Sequence, residues 1–587
     1  MRRTLHRLAG LFAGAFAAAT LHIGASAEPA QPPVPIDVDP LAGAAVAADD
    51  PRAVDAAWAV LAQGGSAADA AIAAAFTMSV VMPEAASLAG AGAALHYDGE
   101  ARHVTALVGR EVAGRAAEAE WIDAENGRVK KPLDGGQAVG APTLLQMLGE
   151  LHRIGGRLPW SAMTAEAERL ARAGVPLSAA AARALQDLYL PQNGGADTIY
   201  GVAGKSTAAA GTLIRNPQAA DVLLAIGRDG PNVLSGGVVG HAIARRVSET
   251  RRRPTELALD EIAQARPLIV APVCVALTRA AFCAPPAPTL GPTTLETAAL
   301  FEAVAPKEPT ARDWAHVMAL AHRLAIADAR RYLGDPAVFP DLTTDLLTPH
   351  EIARRAKRIR LDADRGRPAA ARLRYAPRGL VSSAANARRL PTASVVVTDK
   401  DGDAVALSVT LTRPFGAGLT ARGVLLNAAN VAFDPPPDRP GLHAANAIRP
   451  GARPRLDLAP VMALDADRRL VLAAAGAGGE NLPAYLAKTA LAALNFNKSA
   501  SAAVAAPNVA SRDRTTELEI RTPAERLDGA LSDIGHKPVI KALPSGLVLL
   551  LRRGAEFEAA ADARGQGEAR ARPRETPGLL DLGKRGS

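Results

Sequence analysis

"LPTASVVVTDKDGDAVALSVT", residues 390–410, sets two apolar runs around an Asp-Gly turn and places a threonine near each outer end. A three-residue loop Lys400-Asp401-Gly402, with Gly402 in the left-handed conformation that closes a G1 bulge, pairs Asp399 with Asp403. Counting outward then brings Thr392 opposite Thr410. A two-residue Asp401-Gly402 turn shifts the pairing by one, so that Thr410 lies opposite Ala393 and on the other face of the sheet. Register therefore decides whether the two hydroxyls meet. A threonine hydroxyl is a poor nucleophile until a base takes its proton, and a chain that begins with Thr carries that base as its own α-amine. Such a start requires a cut between Pro391 and Thr392, which makes that bond the candidate processing site, Thr392 the candidate nucleophile and Thr410 its supporting hydroxyl. Thr is common on strands, and two structural threonines are the competing reading of the hairpin alone.

The rest of the chain narrows the alternatives. Among 587 residues, 67 Lys and Arg stand against 59 Asp and Glu, a formal +8 that is scattered and not gathered into a stripe, which argues against a nucleic-acid surface. Aromatic residues make up only 3%, too few for base-stacking platforms, while 49% hydrophobic residues suffice for a large core. No G-x-S-x-G elbow, H-E-x-x-H or P-loop occurs, and the 11 histidines are dispersed. The chemistry suggested by Thr392 needs an amine, a hydroxyl and backbone amides, so no metal and no organic cofactor is expected.

Residues 1–27 read as a signal peptide: a basic start, a short apolar stretch, and Ala25-Ser26-Ala27 in the small-x-small pattern of a cleavage site. An N-terminal membrane anchor is the competing reading, but the stretch is short for a span of about 20 residues. A periplasmic or secreted protein with no membrane span after leader removal is expected. Export permits a disulfide between Cys274 and Cys283, and two buried free thiols fit the sequence as well.

Along the chain, Val54, Ala57, Trp58 and Leu61 fall at helical spacing before Gly64-Gly65, and Ser66 with Asp69 approximates a capping box for a second helix. Strands are expected around the Asp98-Gly99 turn, helices over 136–190 and 293–333, strands near 458–479 and a helix over 483–494. The basic run 350–375 reads as a solvated helix face, residues 376–391 as a mobile connector, and 574–587 as a disordered tail. The boundaries are then 28–391 for a large region and 392–573 for a small region carrying the nucleophile. Alternating blocks of strands and helices indicate a layered α+β architecture.

Several blocks, in order, resemble the γ-glutamyltranspeptidase (glutathione hydrolase) family: "AADDPRAVDAAWAVLAQGGSAADAAIAAAF", "VTALVGREVAG", "HRLAIADARRYLGDP", "SVVVTDKDGDAVALSVTLTRPFGAG", "GVLLNAANVAF", "IRPGARPRLDLAPVM" and "GAGGEN". The resemblance implies an N-terminal nucleophile hydrolase, an αββα sandwich of two stacked sheets between helical layers. It implies a precursor that cuts itself into two fragments, which stay together as a heterodimer. Thr392 then attacks a γ-glutamyl amide and passes the acyl group to water or an amino acid. By the same resemblance Thr410 supports the nucleophile, Arg110 grips the glutamyl α-carboxylate, and Gly478 and Gly479 form the oxyanion hole.

The sequence departs from that pattern where glutamate is recognised. Ala393-Ser394 follow the nucleophile, Thr412 stands where the family has Asn, Ala429 and Ala432 replace the acidic or amide groups that hold the α-amino group, and Leu456-Asp457 replace a Ser-Ser pair. Thr412, Asn430 and Asp457 remain the candidate substrate contacts at these places. Three functional expectations result: a γ-glutamyl amidase and transferase with a rearranged pocket, a cephalosporin-acylase-like amidase for acyl groups lacking an α-amino group, or a non-catalytic binding protein of the same fold. The expected partner is a small-molecule amide.

Overall fold

The computed structural model describes residues 39–125, 128–131, 133–186, 195–202, 206–366, 369–383, 391–437 and 439–574. The leader, residues 384–390 of the connector and all but the first residue of the tail lie outside the described residues. From Pro40 onward the chain forms one compact unit.

The strands that build the core are, in chain order, β1 (Ala45–Ala48), β2 (Ala91–Asp98), β3 (His103–Gly109), β4 (Leu268–Val270), β5 (Val273–Ala276), β6 (Ala281–Ala284), β7 (Ala393–Thr398), β8 (Ala404–Thr410), β9 (Val461–Leu464), β10 (Leu470–Ala475), β11 (Val548–Arg553), β12 (Glu556–Ala561) and β13 (Glu568–Ala571). One sheet runs β4-β3-β2-β8-β7-β1-β13 and the other β5-β6-β9-β10-β11-β12, every pairing antiparallel. Strands from before and after residue 392 interleave in the first sheet and join side by side, β6 to β9, in the second, so a boundary at 392 would divide the chain without dividing the fold.

The helices that cover the sheets are α1 (Pro51–Ala62), α2 (Ala67–Val81), α3 (Leu144–Gly155), α4 (Trp160–Ala173), α5 (Gly291–Val304), α6 (Ala311–Tyr332), α7 (Pro349–Ala356) and α8 (Leu482–Leu494). Their starts follow from local chemistry. The Asp50 carboxylate accepts the Arg52 N–H with Pro51 in the first turn, and Ser66 with Asp69 and Thr310 with Asp313 form full capping boxes. Helix α2 is Ala-rich and apolar on nearly every side, and it is buried accordingly.

Three hydrophobic layers result. Val395, Val397, Val405 and Leu407 pack outward against α2 and its neighbours, whereas Val396, Ala404 and Ala406 pack inward against Met462, Ala473, Val548 and Leu550 of the second sheet. That sheet's other face, with Val461, Leu472 and Leu549, meets α5, α6 and α8. The period-2 alternation of the hairpin thus feeds two cores at once, the αββα arrangement that the family resemblance implied. No helix among the described residues is long and apolar enough to cross a membrane.

Cys274 and Cys283 oppose each other across β5 and β6 and are joined in a disulfide, which decides between the two readings of these residues. The basic run 350–375 departs from the expected solvated helix face. Helix α7 stops at Ala356, and Arg355 turns inward to pair at 2.6 Å with Asp328, a carboxylate buried in α6 that requires a cation.

The hairpin adopts the three-residue loop. Thr398 pairs with Ala404 and Ser394 with Ser408, Gly402 has φ 88°, and the Asp399 and Asp403 backbones bond at 3.1 Å. The buried Asp399 carboxylate locks this register: it accepts N–H groups from Asp401 at 3.0 Å, Asp403 at 3.1 Å and, from the start of α2, Ala67 at 3.0 Å. Asp399→Ala leaves those donors without acceptors, at a cost on the order of 2 kcal/mol. Urea unfolding monitored by circular dichroism should show a correspondingly lower midpoint, and an unchanged midpoint would show that the carboxylate is not needed to hold the turn.

Candidate active site

Thr392 immediately precedes β7, and its parity matches Ser394 and Val396, so its side chain belongs to the inter-sheet face. Thr410, Ser408 and Ala406 occupy the same face of β8. The register brings these hydroxyl residues together, and Ser394 and Ser408 share a hydrogen bond of 2.9 Å between their Oγ atoms. The hydroxyl of Thr410 donates to the Pro391 carbonyl oxygen at 2.6 Å, the carbonyl of the candidate scissile bond. The Thr392 Oγ1 is buried without a hydrogen-bond partner among the described residues.

Thr410 is itself held by a chain of contacts. The Thr412 N–H donates to Thr410 Oγ1 at 3.0 Å, and Thr412 Oγ1 accepts from Arg110 Nη1 at 2.8 Å. Thr412 has φ 67°, a conformation in which a β-branched side chain is strained by about 1–3 kcal/mol. The hydrogen bonds on either side of it stabilise that geometry.

Arg110 is fully buried, and all of its N–H groups are engaged by the protein. Nε donates to Pro454 O at 2.9 Å, Nη1 to Glu111 Oε2 and Thr412 Oγ1, each at 2.8 Å, and Nη2 to Arg455 O at 3.0 Å and Ala429 O at 3.5 Å. Burial lowers its pKa and raises that of Glu111, and the mutual ion pair opposes both shifts. Asp457, whose pKa burial also raises, lies 3.3 Å from Arg455 Nε, and Arg455 in turn reaches Glu480 at 3.5 Å. Glu480 is held at 2.7 Å by Arg330. Residues 429 and 432, alanines in this chain, offer no charge.

Two spaces flank Thr392. One, of about 10 Å³, is bounded by Arg110, Thr410, Thr412, Arg455 and Asp457, and is no larger than a single water needs. The other is a cavity of about 630 Å³ reached by Pro391, Thr392, Gly478, Asn481 and Tyr485 on one side and by Asp49, Asp50 and Glu84 on another. Gly478 thus shares a cavity with Thr392. A Cβ there would fall 2.9 Å from Leu482 N and 3.0 Å from Tyr485 Cδ2, so the close approach of backbone to helix requires glycine. Gly479 follows with φ 56° and opens the turn that leads into α8, whose free N-terminal N–H groups favour negative charge at this end.

The structure thus brings Thr392, Thr410, Thr412, Arg110 and Asp457 around one point, with Gly478 on the cavity side and Gly479 next to it in the chain, outside the cavity lining. Asn430 is placed elsewhere: its amide donates to the Gln137 and Val139 carbonyls at 2.9 and 3.1 Å, tying down a neighbouring loop. Sequence reading missed Asp49, which accepts the Ser394 N–H at 2.8 Å, as well as Glu84, Glu111, Arg455 and Glu480. The adjacent pair Asp49-Asp50 before a helix and the charges beside Arg110 were the available signals.

The layered sheets and the threonine at the head of an inner strand define the N-terminal nucleophile hydrolase fold, and solved structures share it. A cephalosporin acylase from Bacillus halodurans superposes with a TM-score of 0.79 over 90% of this chain and 96% of that one, at 20% identity. The γ-glutamyltranspeptidase family model matches residues 53–572, and the chain belongs to that family. A glutathione hydrolase proenzyme of Pseudomonas aeruginosa is 27% identical over 553 residues, 90% of this chain and 94% of that protein. Human glutathione hydrolase 7 is 29% identical over 432 residues, 72% of this chain, which spans only 62% of the human protein's length.

Glu84 provides a test of the cavity's electrostatics. It is buried with Oε2 unpartnered, and burial pushes its pKa up to about 7 from an ordinary 4.5. The folded protein therefore retains a proton that the unfolded chain releases. This group's stabilising contribution is complete below about pH 4.5 and is lost as pH rises through 7. Glu84→Gln, which mimics the protonated form, should gain on the parent protein between pH 5 and pH 8, by at most about 3 kcal/mol. Thermal unfolding at the two pH values measures the gap, and a gap independent of pH would show that Glu84 is ionised throughout.

Proposed function

We propose that this protein is a self-processing amidase in which Thr392, freed at the N-terminus of the small fragment, takes the acyl group from an amide. The observation that carries the reading is the hydrogen bond from Thr410 Oγ1 to the Pro391 carbonyl. A donor on that oxygen stabilises the negative charge that develops when the Thr392 hydroxyl adds to the Pro391 carbonyl carbon. The peptide C–N bond then breaks, an ester forms on Thr392 Oγ1, and the nitrogen becomes the α-amine. Water hydrolyses the ester and leaves a carboxylate on Pro391 and a free hydroxyl on Thr392.

In the mature enzyme the α-amine takes the hydroxyl proton as Thr392 attacks the substrate amide, with the oxyanion facing the Gly478 and Gly479 backbone. The proton passes to the leaving amine, and water or a second amine releases the acyl group. The names of the relatives, glutathione hydrolases, support γ-glutamyl amides as the substrate class. The head-group site supports a different acyl group, one without an α-ammonium. Ala429 and Ala432 supply no carboxylate, and Asp457 already faces Arg455 at 3.3 Å. An ammonium held there would be poorly compensated for its lost hydration. Ala25-Ser26-Ala27 and the Cys274–Cys283 disulfide support an exported, periplasmic or secreted enzyme.

Release of p-nitroaniline from glutaryl and γ-glutamyl anilides tests both parts. The account expects turnover by the parent protein, none by Thr392→Ala, and a kcat/KM at least ~10-fold higher for the glutaryl compound, about 1.4 kcal/mol of discrimination. A preference for γ-glutamyl would overturn the acyl assignment, and equal rates for parent and variant would overturn the role of Thr392.

A further inference from the structure

A second cavity, of about 460 Å³, is lined by none of Thr392, Thr410, Arg110 and Gly478, and adjoins the larger cavity at Arg512. Helix α6 builds one wall of it: Arg323, Ala327, Arg330 and Arg331 recur at i, i+4, i+7 and i+8, a single helical face with a small residue at its centre. Residues 369–372 and 382–383 and Arg512 line the other sides, so that among the described residues 5 guanidinium groups and no carboxylate line the space. Three of the arginines are balanced from behind. Arg323 meets Asp364 at 2.7 Å, Arg330 meets Glu480 at 2.7 Å and Asp513 at 3.1 Å, and Arg512 meets Glu517 at 2.9 Å.

Arg331 and Arg372 have no carboxylate within ion-pair distance among the described residues. Arg331 lies 5.7 Å from the Tyr332 ring centroid, and its Nε is buried without a hydrogen-bond partner. Two cations without carboxylate partners that line one polar space favour an anion between them. Guanidinium forks match the paired oxygens of an oxyanion, and among the described residues no aromatic side chain lines the space for a base or ring to stack on.

We infer that this arginine-lined cavity is a binding site for a compact phosphate-class anion carrying two or more negative charges, held chiefly by Arg331 and Arg372. The site is independent of the amidase reading and stands or falls without it.

The test is thermal unfolding of the purified full protein titrated with sodium pyrophosphate, against sodium chloride at matched ionic strength and against citrate. A saturable rise in Tm with pyrophosphate that chloride does not reproduce, and a midpoint at least ~10-fold higher in Arg331→Gln/Arg372→Gln, supports the site. Because Arg372 is exposed, Arg372→Gln alone keeps the fold and should raise the midpoint at least ~3-fold should the double variant fail to fold. Arg245→Gln, on a distant exposed helix face, should respond like the parent. No rise beyond that given by chloride, an unchanged midpoint in the arginine variants, or a stronger response to citrate would overturn the proposal.

Discussion

Three N–H groups converge on the Asp399 carboxylate, and the geometry of the site follows from the register they fix. With that turn, Thr392 and Thr410 share the inter-sheet face. A slip of one residue would send Thr410 to the outer face and move the valines of β7 relative to their partners. The carboxylate also receives an N–H from the first residue of α2, so the same side chain joins the hairpin to the helical layer that covers it. A buried carboxylate is costly to keep, and its pKa rises to about 6, first through burial and then through Asp403 nearby. The hydrogen bonds to two strands' worth of turn and one helix start offset that cost.

From this register the contacts run in one direction. Arg110 holds Thr412, Thr412 orients Thr410, and Thr410 polarises the Pro391 carbonyl. Arg110 bonds the Thr412 hydroxyl, while its remaining N–H groups are fixed by Glu111 and by main-chain carbonyls. The small space behind Thr392 is therefore filled by these side chains, with room for no more than one water. The large cavity on the Gly478 side remains open to a substrate and its leaving group.

Much of this was legible in the sequence for local reasons. The Ser66-Asp69 capping box, the left-handed Gly402 and the alternating valines after Thr392 each have a one-to-one structural consequence, and each is found. Strand β1 was not legible: Ala45–Ala48 has no β-branched pattern beyond Val46 and becomes a strand only because β7 and β13 pair with it on both sides. Arg355 was misread because composition alone cannot show that Asp328 is buried and needs it. The charge network around Arg110 was only half visible. Asp457 was singled out and Glu111 adjoins Arg110 in sequence, but Arg455 and Glu480 come from segments more than 300 residues away and were not.

The central claim is that the hairpin is assembled to break the bond between Pro391 and Thr392. Intact-mass measurement with N-terminal sequencing of the purified protein addresses it directly. The account predicts two co-purifying fragments, the smaller beginning at Thr392, and a single full chain when Thr392 is replaced by Ala. A parent protein that remains one uncut chain, or that is cut elsewhere, would contradict it.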